Sequence, residues 1–204
     1  MPITLIIIAI TALVSITAFN QRELMHRFQF NAYSIKHSRQ WYRFFTYALL
    51  HADWAHLIFN MLTLYFFGSY VQSFYVLNFG ESGVLYFIML YVGGVFFSTV
   101  YSFEKNKDNF MYNAIGASGA VSSVLFSHIL FNPLSTIYVY FLPVPAIGFG
   151  VLYLIFSAYM SKKGGDNIGH DVHFWGAIYG FFFPVLLKPS LLLEFGENLI
   201  QFIR

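Results

Sequence analysis

Ser118 and His173 are residues whose type and setting suit nucleophilic chemistry. Ser118 lies in "GASG", Gly116 to Gly119, at the head of the apolar run Ile115 to Asn132. A serine in the first turn of a helix meets unpaired backbone N–H groups and the positive end of the helix dipole, and both favour a developing oxyanion. His173 opens "HFWGAIYG", which carries Gly176 and Gly180. This spacing puts the imidazole and both glycines on one helical face, where a Gly-x3-Gly strip lets a second helix approach closely. A histidine that shares such a contact with a serine can act as its general base. Taken singly, each motif also reads as helix packing or as a structural hydrogen bond.

His56 and Asn60 are candidate donors to the same chemistry. They lie one turn apart on a single helix face, behind Asp53 as a plausible N-cap; an interhelical hydrogen-bonding pair is the alternative. Asp171 stands roughly 200° around the helix from His173, so the spacing points to a Ser–His dyad, with Asp171 facing water or capping its helix. His170 shares a face with His173, either beside the site or exposed at the interface, and His128, deep in its run, reads as a packing hydrogen-bonder.

The elements that must position these groups are membrane helices. The chain of 204 residues is 58% hydrophobic and only 10% charged, against about 25% charged in a soluble domain. The absence of cysteine excludes disulfides and thiolate metal sites, and a net charge of +2 without a basic cluster gives no sign of nucleic acid. Apolar runs near the length of a span occur at Pro2 to Phe19, His56 to Val76, Gly83 to Phe103, Ile115 to Asn132, Pro145 to Met160 (with a possible start at Tyr138) and His170 to Leu187. The first lacks the charged start of a signal peptide and reads as an uncleaved span. Residues 189–204 form a weakly amphipathic tail too short to span. The expected fold is therefore an all-α bundle of six transmembrane helices in a single domain over 1–204, with its core at about 2–188. Six alternating spans bring the starts of the second, fourth and sixth to one side. Ser118, His173, His56 and Asn60 then share a membrane face and a depth. The connection 20–55 mixes Arg22, Arg27, Lys36, Arg39 and Arg43 with Trp41 and Tyr42, a combination suited to the headgroup region.

These motifs resemble the rhomboid family of intramembrane serine proteases. "RFFTYALLHADWAHLIFNML", Arg43 to Leu62, resembles the family's first-loop and second-helix motif, with His51, His56 and Asn60 in H-x4-H-x3-N spacing. "GASG" resembles the nucleophile motif and "HFWGAIYG" the base motif, in the family's order over residues 1 to 188. The resemblance implies Ser118 as nucleophile and His173 as general base. It implies His56 and Asn60 as oxyanion donors alongside the backbone N–H of Ser118. It implies His51 as a structural residue holding a partly membrane-inserted first loop that carries Arg43. It also implies no metal or cofactor, transmembrane protein substrates within the lipid bilayer, and a bacterial inner membrane location with the site opening to the extracytoplasmic side. Oligomeric state, substrate and pathway are not written in the sequence.

Two positions depart from the family pattern. Gln72 stands where a glutamate is frequent, and Ser122 stands where some members place an aromatic under the histidine, so His173 must be packed by another residue. Charge argues for the opposite orientation: Arg22, Arg27, Lys36, Arg39, Arg43, Lys105, Lys107, Lys162 and Lys163 lie on the odd-numbered connections, against Lys188 and Arg204 on the other side. Two other functions remain open: an inactive rhomboid-like binder of membrane segments, and a metal site gathered from His51, His56, His170 and His173.

Overall fold

The computed structural model describes residues 2–139, 141–164 and 168–203; Arg204, counted in the charge argument, lies outside them. Helix α1 runs Ile3–Phe19. The first connection folds into α2 (Arg22–Phe28), α3 (Ala32–Ser38) and α4 (Arg43–Thr46). Then come α5 (Trp54–Thr63), a π-helical turn at Leu64–Gly68 and α6 (Ser69–Phe79). Helices α7 (Gly83–Asn106), α8 (Ser118–Phe131), α9 (Ala146–Lys163), α10 (His170–Leu187) and α11 (Ser190–Ile203) complete the chain.

Local chemistry sets the boundaries. Asp53 caps α5 as expected, its carboxylate accepting the N–H of His56 at 2.8 Å. Gly80, at φ 58°, turns the chain between α6 and α7, and Gly83 packs so tightly on the Tyr75 carbonyl that a Cβ would clash. Two boundaries correct the sequence expectations. Helix α8 begins at Ser118 rather than Ile115, because Gly116 takes φ +122°, outside the helical region. The fifth helix does not reach back to Tyr138. Residues Thr136–Val139 (β1) and Leu142–Pro145 (β2) pair as an antiparallel hairpin instead. Pro143 and Pro145 lack N–H donors, and Ile137, Tyr138 and Val139 favour extended backbone.

Helices thus occupy all six apolar stretches. By length and apolarity, the helical run Trp54–Asn106 qualifies as a membrane crosser, and α10 qualifies only together with α11, from which it bends by 113°. Helices α1 and α8 are apolar but shorter.

Helix α8 is the centre of the molecule, with every residue from Gly119 to Leu130 buried. Its tightest partner is α10. Gly176 meets the Gly119 carbonyl and Gly180 meets the Ser123 backbone so closely that a Cβ at either would overlap it, the contact expected of the glycine strip. Serine hydroxyls of α8 close the seam, Ser123 Oγ donating to the Gly176 carbonyl at 2.8 Å and Ser127 Oγ to the Gly180 carbonyl at 2.6 Å. The second bond has a specific reason. Pro184 sits inside α10 and has no N–H for the carbonyl four residues back, so Ser127 supplies the missing donor. Gly180→Val should therefore lower stability in detergent by about 3 kcal/mol or more, because the obstacle is backbone and cannot rotate away. An unchanged thermal midpoint would contradict this account of the seam.

Candidate active site

Ser118 is the first residue of α8 and His173 lies in the first turn of α10. Their helices cross at glycines, and Ser118 Oγ lies 2.8 Å from His173 Nε2. This is hydrogen-bonding range for a hydroxyl and its proton acceptor, and it joins residues 55 apart in sequence. The N–H groups of Ser118 and Gly119, at the helix start, have no acceptor within α8.

The turn before Ser118 is held by the first connection. Gly116 N–H donates to the Tyr47 carbonyl at 3.0 Å, and Ala117 N–H points to His51 Nε2 at 3.4 Å. The other His51 nitrogen, Nδ1, is 2.9 Å from Ser15 Oγ, whose hydroxyl donates to the Leu49 carbonyl at 2.8 Å. With that proton committed, His51 Nδ1 must be the donor to Ser15 and Nε2 the acceptor from Ala117, so the ring is neutral. Upstream, Phe30 and Ala114 exchange backbone hydrogen bonds, while Asn31 Nδ2 donates to the Phe110 and Tyr112 carbonyls at 3.0 and 3.1 Å. Arg43 is buried and spends its charge on carbonyls, donating to those of His26 and Gln29 at 2.8 and 2.7 Å.

Burial, reinforced by the nearby His56 ring, pushes His51 down to about 3 from 6.5. The unfolded chain therefore binds a proton at this residue in a range where the folded protein does not. The His51 contribution to stability is present above pH 6.5 and is lost as pH falls from 6.5 toward 3. The thermal midpoint should drop across that window more steeply in the wild type than in His51→Gln, which cannot titrate. Parallel pH profiles would exclude His51 as the cause.

His56 packs directly on Gly116, where an added Cβ would come within 2.9 Å of its Nε2. The ring therefore borders the turn that carries Ser118. Asn60 lies one turn further along α5, but its amide Nδ2 donates to the His56 carbonyl at 2.9 Å and so belongs, as placed, to its own helix. Gln72 ties α6 to α1, its Oε1 accepting from Thr4 N–H at 3.0 Å and Thr4 Oγ1 at 2.8 Å. An amide carbonyl suits these two donors as well as a carboxylate would. His128 Nε2 reaches Ser135 Oγ at 3.0 Å, a packing role as expected.

The sequence leaves alternatives for two neighbours of His173, and the structure separates them. Asp171 is half-buried and turned away from the histidine: its carboxylate accepts the first-turn N–H of Val172 at 3.0 Å, the helix-start role the sequence allows, and also accepts from Ser102 Oγ on α7 at 2.6 Å, a partner the sequence does not show. His170 lies beside the site, the first of its two alternatives, and is buried rather than exposed, with its ring 6.0 Å from that of His173 and 5.5 Å from Phe156. Both placements have one cause: the glycine contacts draw the start of α10 against α7 and α8. The four histidines fall into two separate pairs, and among the described residues no three His, Asp or Glu side chains come close enough to hold one ion.

Sequence reasoning missed Tyr153. Its ring stacks on His173, with centroids 6.2 Å apart and planes at 26°, and its hydroxyl lies 2.6 Å from Ser122 Oγ. The packing partner left open by Ser122 thus comes from α9. No local spacing marks it, because Tyr153 sits in an apolar helix among other aromatics.

The chain is similar to known proteins. A family profile described as Rhomboid domain matches residues 38–190. The chain is 29% identical over 175 residues to RHOMBOID-like protein 12, mitochondrial, of Arabidopsis thaliana, covering 78% of this chain and 50% of that protein. It is 28% identical over 162 residues to Rhomboid protease GluP of Bacillus subtilis (strain 168), covering 79% of this chain and 29% of that protein. The chain thus spans half or less of the length of these relatives. The profile match covers most of the chain and includes the first-loop motif from Arg43, the Ser118 turn and the His173 helix, so this integral membrane protein belongs to the rhomboid family.

Proposed function

We propose that this chain is an intramembrane serine endopeptidase that cleaves transmembrane segments of other membrane proteins. The observation that carries the reading is the 2.8 Å contact between Ser118 Oγ and His173 Nε2 at two helix starts. Ser118 Oγ attacks the scissile carbonyl carbon while His173 Nε2 takes its proton and later passes it to the leaving amine. The tetrahedral oxyanion faces the first N–H groups of α8 and the donors His56 and Asn60. Water, with His173 again as base, then releases the acyl group from Ser118.

The architecture that fits this chemistry is one rhomboid domain over 1–204. Its six crossing helices are α1, α5–α6, α7, α8, α9 and α10, with α2 to α4 partly inserted as the first loop. Helix α8 has 14 residues, about 21 Å at 1.5 Å per residue, against roughly 30 Å of hydrocarbon. Its start can therefore lie recessed beneath a water-filled mouth, where irregular backbone is tolerated. The mouth faces the extracytoplasmic side. The cation count opposes this orientation; five of the nine cations lie in the long first connection, which folds into α2 to α4 as the partly inserted loop, and the order of the motifs carries the greater weight.

A membrane-impermeant fluorophosphonate probe tests both parts on right-side-out vesicles. Labelling of Ser118 from outside, lost in His173→Ala, is expected. Labelling only after the vesicles are opened would reverse the orientation. A wild type that neither labels nor cleaves a transmembrane substrate would leave an inactive binder of membrane segments as the better description.

A further inference from the structure

We propose that Tyr153 on α9 is a positioning residue for His173, holding the imidazole plane through its ring and the ring through Ser122. The proposal rests on Ser118 and His173 being nucleophile and base.

The geometry links the three helices that meet at the site. Tyr153 stacks on His173 within the separation that aromatic pairs prefer. Phe126 of α8 and Phe149 of α9 flank the tyrosine, with ring centroids 5.6 and 5.7 Å away. Ser122 Oγ donates to the Ser118 carbonyl at 2.7 Å, which uses its one proton. The 2.6 Å contact with Tyr153 therefore runs from the tyrosine O–H to Ser122 Oγ. The chain of contacts starts at the peptide of the nucleophile, passes through Ser122 and Tyr153, and ends on the face of the base.

An imidazole has two rotatable bonds, and proton transfer needs Nε2 held toward Oγ. A ring packed alongside, offset and near-parallel at 6.2 Å, restricts that rotation. Helix α9 packs on the core along one side only, with Ala146, Gly150 and Ser157 buried and Ile147, Phe149, Tyr153 and Leu154 half-buried against α8 and α10. The alignment of His173 is consequently tied to where α9 lies, and a shift of that helix would withdraw the ring.

The test compares Tyr153→Leu, Tyr153→Phe and Ser122→Ala by kcat and KM on a transmembrane substrate and by the rate of Ser118 phosphonylation. Tyr153→Leu should lose roughly 10- to 100-fold in kcat, the scale of a small misplacement of a catalytic group. Its KM should stay within about twofold, because substrate binding is not what the ring supports. Tyr153→Phe keeps the ring and should retain most of the activity. Ser122→Ala removes this bond and also the one to the Ser118 carbonyl, so it should cost at least as much as Tyr153→Phe, and the double variant should be no worse than Ser122→Ala alone. A Tyr153→Leu enzyme with wild-type kcat overturns the proposal, as does a Phe variant as impaired as the Leu variant. If Tyr153→Leu does not fold, the Ser122→Ala/Tyr153→Phe cycle decides: additive losses overturn the link and coupled losses support it. A wild type that is inactive in both assays defeats the protease reading itself, and this proposal with it.

Discussion

Replacing Ser118 with alanine is expected to bring cleavage of a transmembrane substrate down to background, a loss of about 10⁶-fold if the pair behaves as serine–base pairs do elsewhere. The fold should survive. The hydroxyl stands at the first turn of α8 in contact with His173, and α8 is held by the Gly176 and Gly180 seam and by serines 123 and 127. His173→Ala should cost nearly as much, and the double variant little more than either, because nucleophile and base act as a unit. Thermal unfolding in detergent separates this outcome from misfolding. Ser118→Ala with activity near wild type would sink the nucleophile assignment. Chelators are expected to leave cleavage unchanged, and strong inhibition by them would revive a histidine metal site.

The second large effect is expected at His56. Its imidazole borders Gly116, two residues before Ser118. Losing one such donor costs roughly 10²–10³ in kcat in a serine protease, so His56→Ala should slow turnover by about that factor with little change in KM. Asn60→Ala should cost less. Its amide already serves the His56 carbonyl and must rotate to reach an oxyanion, although such bonds often form only with substrate bound. Ser118 phosphonylation should slow alongside turnover in both variants, because the phosphonyl oxygen is stabilised in the same place. If instead both variants melt early while their folded fraction turns over normally, the pair merely braces α5, and the oxyanion role would have to be given up.

Much of this was legible in the residues alone, for a local reason. Helical periodicity places His173, Gly176 and Gly180 on one face, and the structure puts that face on Gly119 and Ser123. A capping residue acts three positions away, so Asp53 and the start of α5 could be read directly. Apolar runs long enough to matter in a membrane appear in composition, and each became helical. The short stretches that failed did so where local signals conflict. The hairpin Thr136–Pro145 is apolar enough to read as helix, but its prolines and β-branched residues prevail.

What only the tertiary structure decided is which distant groups meet. Nothing in the spacing of Ser15, His51 and Ala117 shows that one neutral imidazole bridges the first helix and the nucleophile turn. Nor could the sequence say that Ser102 would claim Asp171, that His170 would be buried, or that an aromatic absent from position 122 would arrive from α9 as Tyr153. Periodicity determines which face of a helix is small, apolar or polar, because that depends on residues three and four apart. It does not determine which helix that face meets, or at what height, because that depends on close packing among side chains dozens of residues apart. In this protein the chemical groups follow from the first and their alignment from the second.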